Sequence, residues 1–165
     1  MKGFQGIELN SHKTDDLVFA IGKFIVNFGA AEYLTYILIE ELSHDEIVYD
    51  LSIDMPLSRR LKLIKDLSLK RKLDKELIDD IKKTINVAED LAQFRNSIAH
   101  NPIMLSVKNN ESSALIGIPN MKKAKNKNNV PVASLKKLNL GIDAVVELVN
   151  NLTSVLETIK VTNNA

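Results

Sequence analysis

The sequence predicts an all-α fold, a four- to five-helix bundle with a small β-hairpin inserted before the last helix. Three observations carry this. Apolar residues recur at helical spacing over most of the chain, aliphatics are many and aromatics few (5%), and only one stretch between helical runs is rich in β-formers. With 165 residues, 45% of them hydrophobic, the chain fits one domain, residues 1–165, able to bury a sizeable core.

Leu17, Ile21, Phe24, Phe28, Ala31, Ile39 and Leu42 mark a long first helix from Thr14 to Leu42, with Asp15 and Asp16 at its positive end. Ser43-His44-Asp45-Glu46 reads as a capping box opening a short second helix that runs to about Leu51. Asp54-Met55-Pro56 restarts the chain, and Leu57 to about Leu69 forms a basic amphipathic helix. The next run, Leu77, Ile78, Ile81, Ile85, Ala88, Leu91, Ala92 and Ile98, ends at Asn101-Pro102, because proline disfavours helical geometry in the residue before it.

Ile103 to Ile118 holds two β-rich segments around the turn-forming Lys108–Ser113 stretch, which predicts the hairpin. Hairpin and basic loop together occupy about residues 103–133. A last helix from about Ser134 to Ile159 places Leu138, Ile142, Val145, Val149, Leu152 and Leu156 on one side.

Composition narrows the chemistry. Twenty-two basic and twenty-one acidic residues leave a formal charge of +1, so the whole molecule has no field drawing it to nucleic acid or membrane, and any such affinity is local. The absence of cysteine excludes thiol catalysis, disulfides and thiolate metal sites. The N-terminus lacks an uninterrupted apolar stretch, and no later window is read as approaching a membrane span, so the expectation is a cytoplasmic protein without membrane contact. No metal or cofactor is expected.

Two charges sit on the wrong side of their helices. At roughly 100° per residue, Arg95 falls within the stripe of Leu77, Ile81, Ala88, Leu91 and Ala99. A guanidinium there must find acceptors, because it keeps its proton at any ordinary pH and is costly to desolvate. Glu32 lies within the stripe of Phe28, Ala31, Thr35 and Ile39, whereas Glu40 and Glu41 point outward, so Glu32 is the expected partner. The pair has two readings: a structural ion pair between packed helices, or part of a site.

His100 brings the second reading forward. It leaves the stripe, borders the polar row of Glu89, Gln93 and Asn96, and stands at the end of its helix. Free carbonyls there favour its charged form while Arg95 opposes it, so it could titrate near neutrality, where a general acid or base works best. A helix C-cap is the alternative. His12 and His44 read as surface residues.

The run Gln93-Phe94-Arg95-Asn96-Ser97-Ile98-Ala99-His100-Asn101 resembles the RX4-6H motif of the HEPN superfamily, and Asn27–Glu32 is similar to the acid-bearing first-helix segment of such proteins. The resemblance implies a HEPN-like bundle acting as a homodimer, in which two motifs meet to form one metal-independent RNase site. His100 would then serve as general base or general acid, Arg95 would hold the scissile phosphate, Asn96 would contact phosphate or orient His100, and Glu32 would fix Arg95. Tyr36 could add a hydroxyl, although a core tyrosine is the plainer reading. A toxin or phage-defence role, with an antitoxin or a neighbouring-domain protein as partner, follows from family analogy alone. Pro102 stands where nucleotidyltransferase-paired HEPN toxins often carry a modifiable tyrosine, which puts that form of control in doubt. The alternative from another class is a non-catalytic HEPN dimer that binds RNA or protein.

Lys122, Lys123, Lys125 and Lys127 form the one basic patch, with no acid between Glu111 and Asp143. They read either as RNA phosphate contacts or as a solvated loop, since no aromatic residue is interleaved to stack bases.

Overall fold

The computed structural model describes residues 12–71, 73–99, 103–108, 111–116 and 132–163. It is an all-α bundle of five helices: α1 (His12–Ser43), α2 (Glu46–Ile53), α3 (Leu57–Lys70), α4 (Lys75–Ala99) and α5 (Leu135–Asn163). Between α4 and α5 the backbone pairs as three antiparallel strands, β1 (Ile103–Lys108), β2 (Glu111–Ile116) and β3 (Val132–Ser134), in the order β1-β2-β3. Ile103 pairs with Ile116 and Lys108 with Glu111, while Ser113 pairs with Ser134.

α1 is the central element and packs along α5, α3, α2 and α4. Its buried face divides between two clusters. Leu17, Ala20, Phe24 and Phe28 join Ile98, Leu138, Ile142 and Val145 at one end, and Ala31, Leu38, Ile39 and Leu42 join residues of α3, α4 and α5 at the other. Each fully buried leucine or phenylalanine here contributes about 1.5–3 kcal/mol. Leu57 and Leu91 pack against both clusters, so the junction between them lies where α1, α3 and α4 meet.

The junction between α1 and α2 corrects the expected capping box. α1 runs through Ser43, His44 closes it in the left-handed region (φ 48°), and Asp45 is the N-cap of α2. Asp45 Oδ1 accepts from the backbone amides of Ile47 (2.9 Å) and Val48 (3.4 Å), which its short carboxylate reaches directly. Ser43 stands two residues too early to do this and turns its hydroxyl to the chain around the junction. The end carbonyls of α1 are taken up by other helices: Arg71 Nε donates to Leu42 O (2.7 Å) and Asn163 Nδ2 to Glu41 O (3.1 Å). Glu41, expected to point outward, is half-buried and pairs with Lys160 at 3.5 Å.

Within α1, Asp15–Ser43 is long and apolar enough to cross a membrane by length and composition, correcting the expectation of no such window. The average over the helix is high although charges interrupt every apolar run, and one face of it forms the bundle core.

Candidate functional site

The two wrong-side charges meet. α1 carries Glu32 and α4 carries Arg95 to the junction of the two core clusters, where Arg95 Nη2 donates to Glu32 Oε1 at 2.7 Å. Both side chains are about one quarter exposed, 25% and 24%, so the pair is partly screened by protein yet open on one side. Arg95 Nη1 donates to Asn96 Oδ1 at 2.9 Å, so Asn96 holds the other arm of the fork. Asn96 itself is exposed, as are Glu89 and Gln93, and all three line the same pocket.

A third charge, not anticipated from the sequence, completes the cluster. Arg60 of α3 is buried, and its Nη2 lies 3.9 Å from Glu32 Oε1, which is electrostatic contact but too long for a hydrogen bond. Its Nε and Nη1 are buried with no hydrogen-bond partner among the described residues. Burial lowers the proton affinity of this guanidinium most, Glu32 raises it and Arg95 lowers it further. The group still keeps its proton, and its desolvation is offset only in part.

The arrangement follows from helical spacing on α1. Phe28, Glu32 and Tyr36 stand at i, i+4 and i+8, and the two rings on either side of the carboxylate receive the two guanidiniums. Arg95 lies over the Phe28 ring at 5.4 Å and Arg60 over the Tyr36 ring at 3.9 Å, both within cation–π range. Tyr36 is therefore a half-buried platform at the pocket wall rather than the core residue expected, and its hydroxyl reaches Ile53 O at 3.5 Å.

The pocket has a volume of about 800 Å³ and opens between α1, α3 and α4, with Tyr33, Leu57, Arg60, Arg95 and Asn96 in its wall. Two guanidiniums face one inner carboxylate, leaving a positive charge inside, while Glu89 stands at the exposed rim. Such a site can accept an oxyanion through planar donor forks. Among the described residues no group of three or more His, Asp or Glu side chains is arranged to hold a metal ion.

Comparison with protein-family models, curated proteins and solved structures finds no match to this chain. The geometry therefore stands alone.

The structure brings together Glu32, Arg95 and Asn96. His100 follows the last residue of α4 and lies outside the described residues, as do Pro102 and Lys122, Lys123, Lys125 and Lys127. Ala99, expected within the apolar stripe of α4, is exposed, whereas Ile98 beside it in the same last turn takes the core position. Arg60 carries the same signal in the sequence as Arg95. It sits among Leu57, Leu61 and Ile64 at helical spacing, but the high positive charge of α3 makes an arginine there look like part of a solvated face.

Proposed function

We propose that this chain is a HEPN-type, metal-independent endoribonuclease that cleaves RNA at a composite site in a homodimer. The observation that carries the reading is the arrangement of Glu32 of α1 with Arg95 and Asn96, which stand on the last turns of α4 before His100, in the wall of an open pocket. A pair serving the fold alone gains nothing from an open cavity beside it, whereas a phosphate-binding arginine needs one.

In this mechanism Glu32 and Asn96 hold the Arg95 fork so that it meets the scissile phosphate and stabilises the charge growing on its equatorial oxygens. His100 takes the proton of the ribose 2′-hydroxyl as its oxygen attacks phosphorus. The P–O5′ bond breaks, and a proton from an acid, for which the second subunit's copy of His100 is the candidate, goes to the leaving oxygen. The products are a 2′,3′-cyclic phosphate and a 5′-hydroxyl end. Lys122, Lys123, Lys125 and Lys127 would add sequence-independent contacts to the strand.

The homodimer finds support in the outer face of α1. Phe19 and Val26 are exposed there, and Gly22, Gly29 and Ala30 lie on the same side, while Tyr33, one seven-residue step beyond Val26, lines the pocket at the end of this face. A Cβ at Gly22 or Gly29 would meet nothing within 4 Å, so neither glycine is required by packing within the subunit. Each costs the helix about 1 kcal/mol relative to alanine. A second α1 seated on this face, which also carries the exposed Lys23, would use both glycines and would border the pocket, whose wall includes Gly29 and Tyr33. A cytoplasmic toxin or phage-defence role, with an antitoxin or neighbouring-domain protein as partner, belongs to the same reading.

The test is cleavage of mixed RNAs in EDTA by the protein and its His100→Ala variant. Cyclic-phosphate products from the first and none from the second are expected. Equal cleavage by both, or none by either, would sink the mechanism, and binding without cleavage would assign the bundle to a non-catalytic RNA-binding dimer.

A further inference from the structure

We propose that Arg60 is a second phosphate contact, and that with Arg95 it makes the pocket specific for the backbone of a single-stranded RNA. This deepens the ribonuclease reading and rests on it for the identity of the strand; the anion site itself rests on Arg60.

Arg60 is 3% exposed, stacked on Tyr36, and part of the pocket wall, yet two of its three guanidinium nitrogens have no acceptor among the described residues. A buried donor without an acceptor is costly, and native structures rarely leave one unless a ligand completes it. Glu32 does not complete it, because its near oxygen is engaged by Arg95 at 2.7 Å and stands 3.9 Å from Arg60. An oxyanion entering between the two guanidiniums supplies an acceptor to one of these nitrogens, through the Nε–Nη2 or the Nη1–Nη2 edge, once the Arg60 fork rotates over the Tyr36 ring.

Donor geometry and shape select the ligand. Glu32 is shared by two guanidiniums and the other acid of the lining, Glu89, is solvent-exposed, so the donors left over at the inner end suit the oxygens of a singly charged phosphodiester, which planar forks match. At about 800 Å³ the pocket has room for a nucleotide. Tyr33, 61% exposed at its wall, offers a ring on which a neighbouring base can stack, and a base can do so only when unpaired.

The probe is a fluorescent single strand of about ten residues carrying 2′-O-methyl riboses, which cannot be cleaved, alone and annealed to its complement. Binding is read by anisotropy on the full chain. The wild type is expected to bind the single strand in a salt-dependent manner and the duplex about tenfold or more weakly. Arg60→Met should weaken single-strand binding about tenfold or more, Arg60→Lys should fall between, and Tyr33→Ala should erode the preference for the single strand.

Unchanged binding by Arg60→Met, equal binding of strand and duplex, or no binding by the wild type would overturn the proposal. Should Arg60→Met fail to fold, Arg60→Lys decides, since wild-type affinity in that variant is equally incompatible. Because the probe cannot react, binding that depends on Arg60 together with absent cleavage of ordinary RNA would reject the nuclease and leave this site standing. Cleavage together with Arg60-independent binding would do the reverse.

Discussion

Glu32 and Arg95, 63 positions apart in the chain, meet at 2.7 Å, and the same carboxylate oxygen faces Arg60 at 3.9 Å. One acid thus stands between two guanidiniums, hydrogen-bonded to one and only attracting the other. Without that charge the two guanidiniums would face each other unopposed.

Replacing Glu32 by Gln keeps the shape and removes the charge, leaving Arg60 and Arg95 to repel each other across a partly desolvated space. The expected loss is about 1–3 kcal/mol, below that of a fully buried pair because both partners are a quarter open to solvent. Urea denaturation of the variant against wild type measures it.

Arg60→Met should behave in the opposite way. The methionine fills similar space against the Tyr36 ring and removes a buried cation with two unpaired nitrogens. The variant is expected to match the ligand-free wild type or gain about 1–3 kcal/mol. Burial lowers the folded-state proton affinity of Arg60, so the full penalty is present below its folded pKa, falls as pH rises from the folded to the unfolded pKa, and is gone above the latter. The effect therefore holds across the neutral range, and melting curves at several pH values check it.

Gly29→Leu fits the subunit, since the space beyond Gly29 is open, and it improves helix propensity. In the proposed dimer it separates the paired α1 helices. Light scattering is expected to show a folded monomer where the wild type is dimeric.

Gly141 is a contrasting glycine. A Cβ there would lie 2.9 Å from Phe94 Cε1 and 3.4 Å from Phe24 Cε2, and those rings already meet edge to face at 5.1 Å. Gly141→Ala is expected to lower stability by about 1–2 kcal/mol despite the better helix former, and Phe94→Leu in the same chain should recover part of the loss. Paired thermal melts decide it.

Much of the bundle was legible in the sequence because one physical signal, the 3.6-residue apolar period, generates it. The helix α4 and its misplaced Arg95 came from that period, and so did Glu32 as its partner. What the period does not carry is which helices become neighbours, so the convergence of α3 on the same carboxylate was invisible, and with it Arg60. The cap of α2 went to Asp45 rather than Ser43 because a left-handed His44 let α1 run further than a serine-led cap allows. The sequence signals a helix start near Ser43–Glu46, but which of two capping residues two positions apart takes the cap depends on the turn between the helices.

The central claim is that the Glu32–Arg95 pair serves chemistry rather than the fold, and replacing both charges at once tests it most directly. Made in an Arg60→Met background, so that no buried cation is left without its acid, the Glu32→Leu/Arg95→Met double variant should fold with near wild-type stability, because apolar residues of similar volume replace the whole charge cluster. Its cleavage of RNA in EDTA is expected to fall by about a hundredfold or more, the scale of losing a transition-state charge contact. A double variant that folds and cleaves RNA at the wild-type rate would contradict the account.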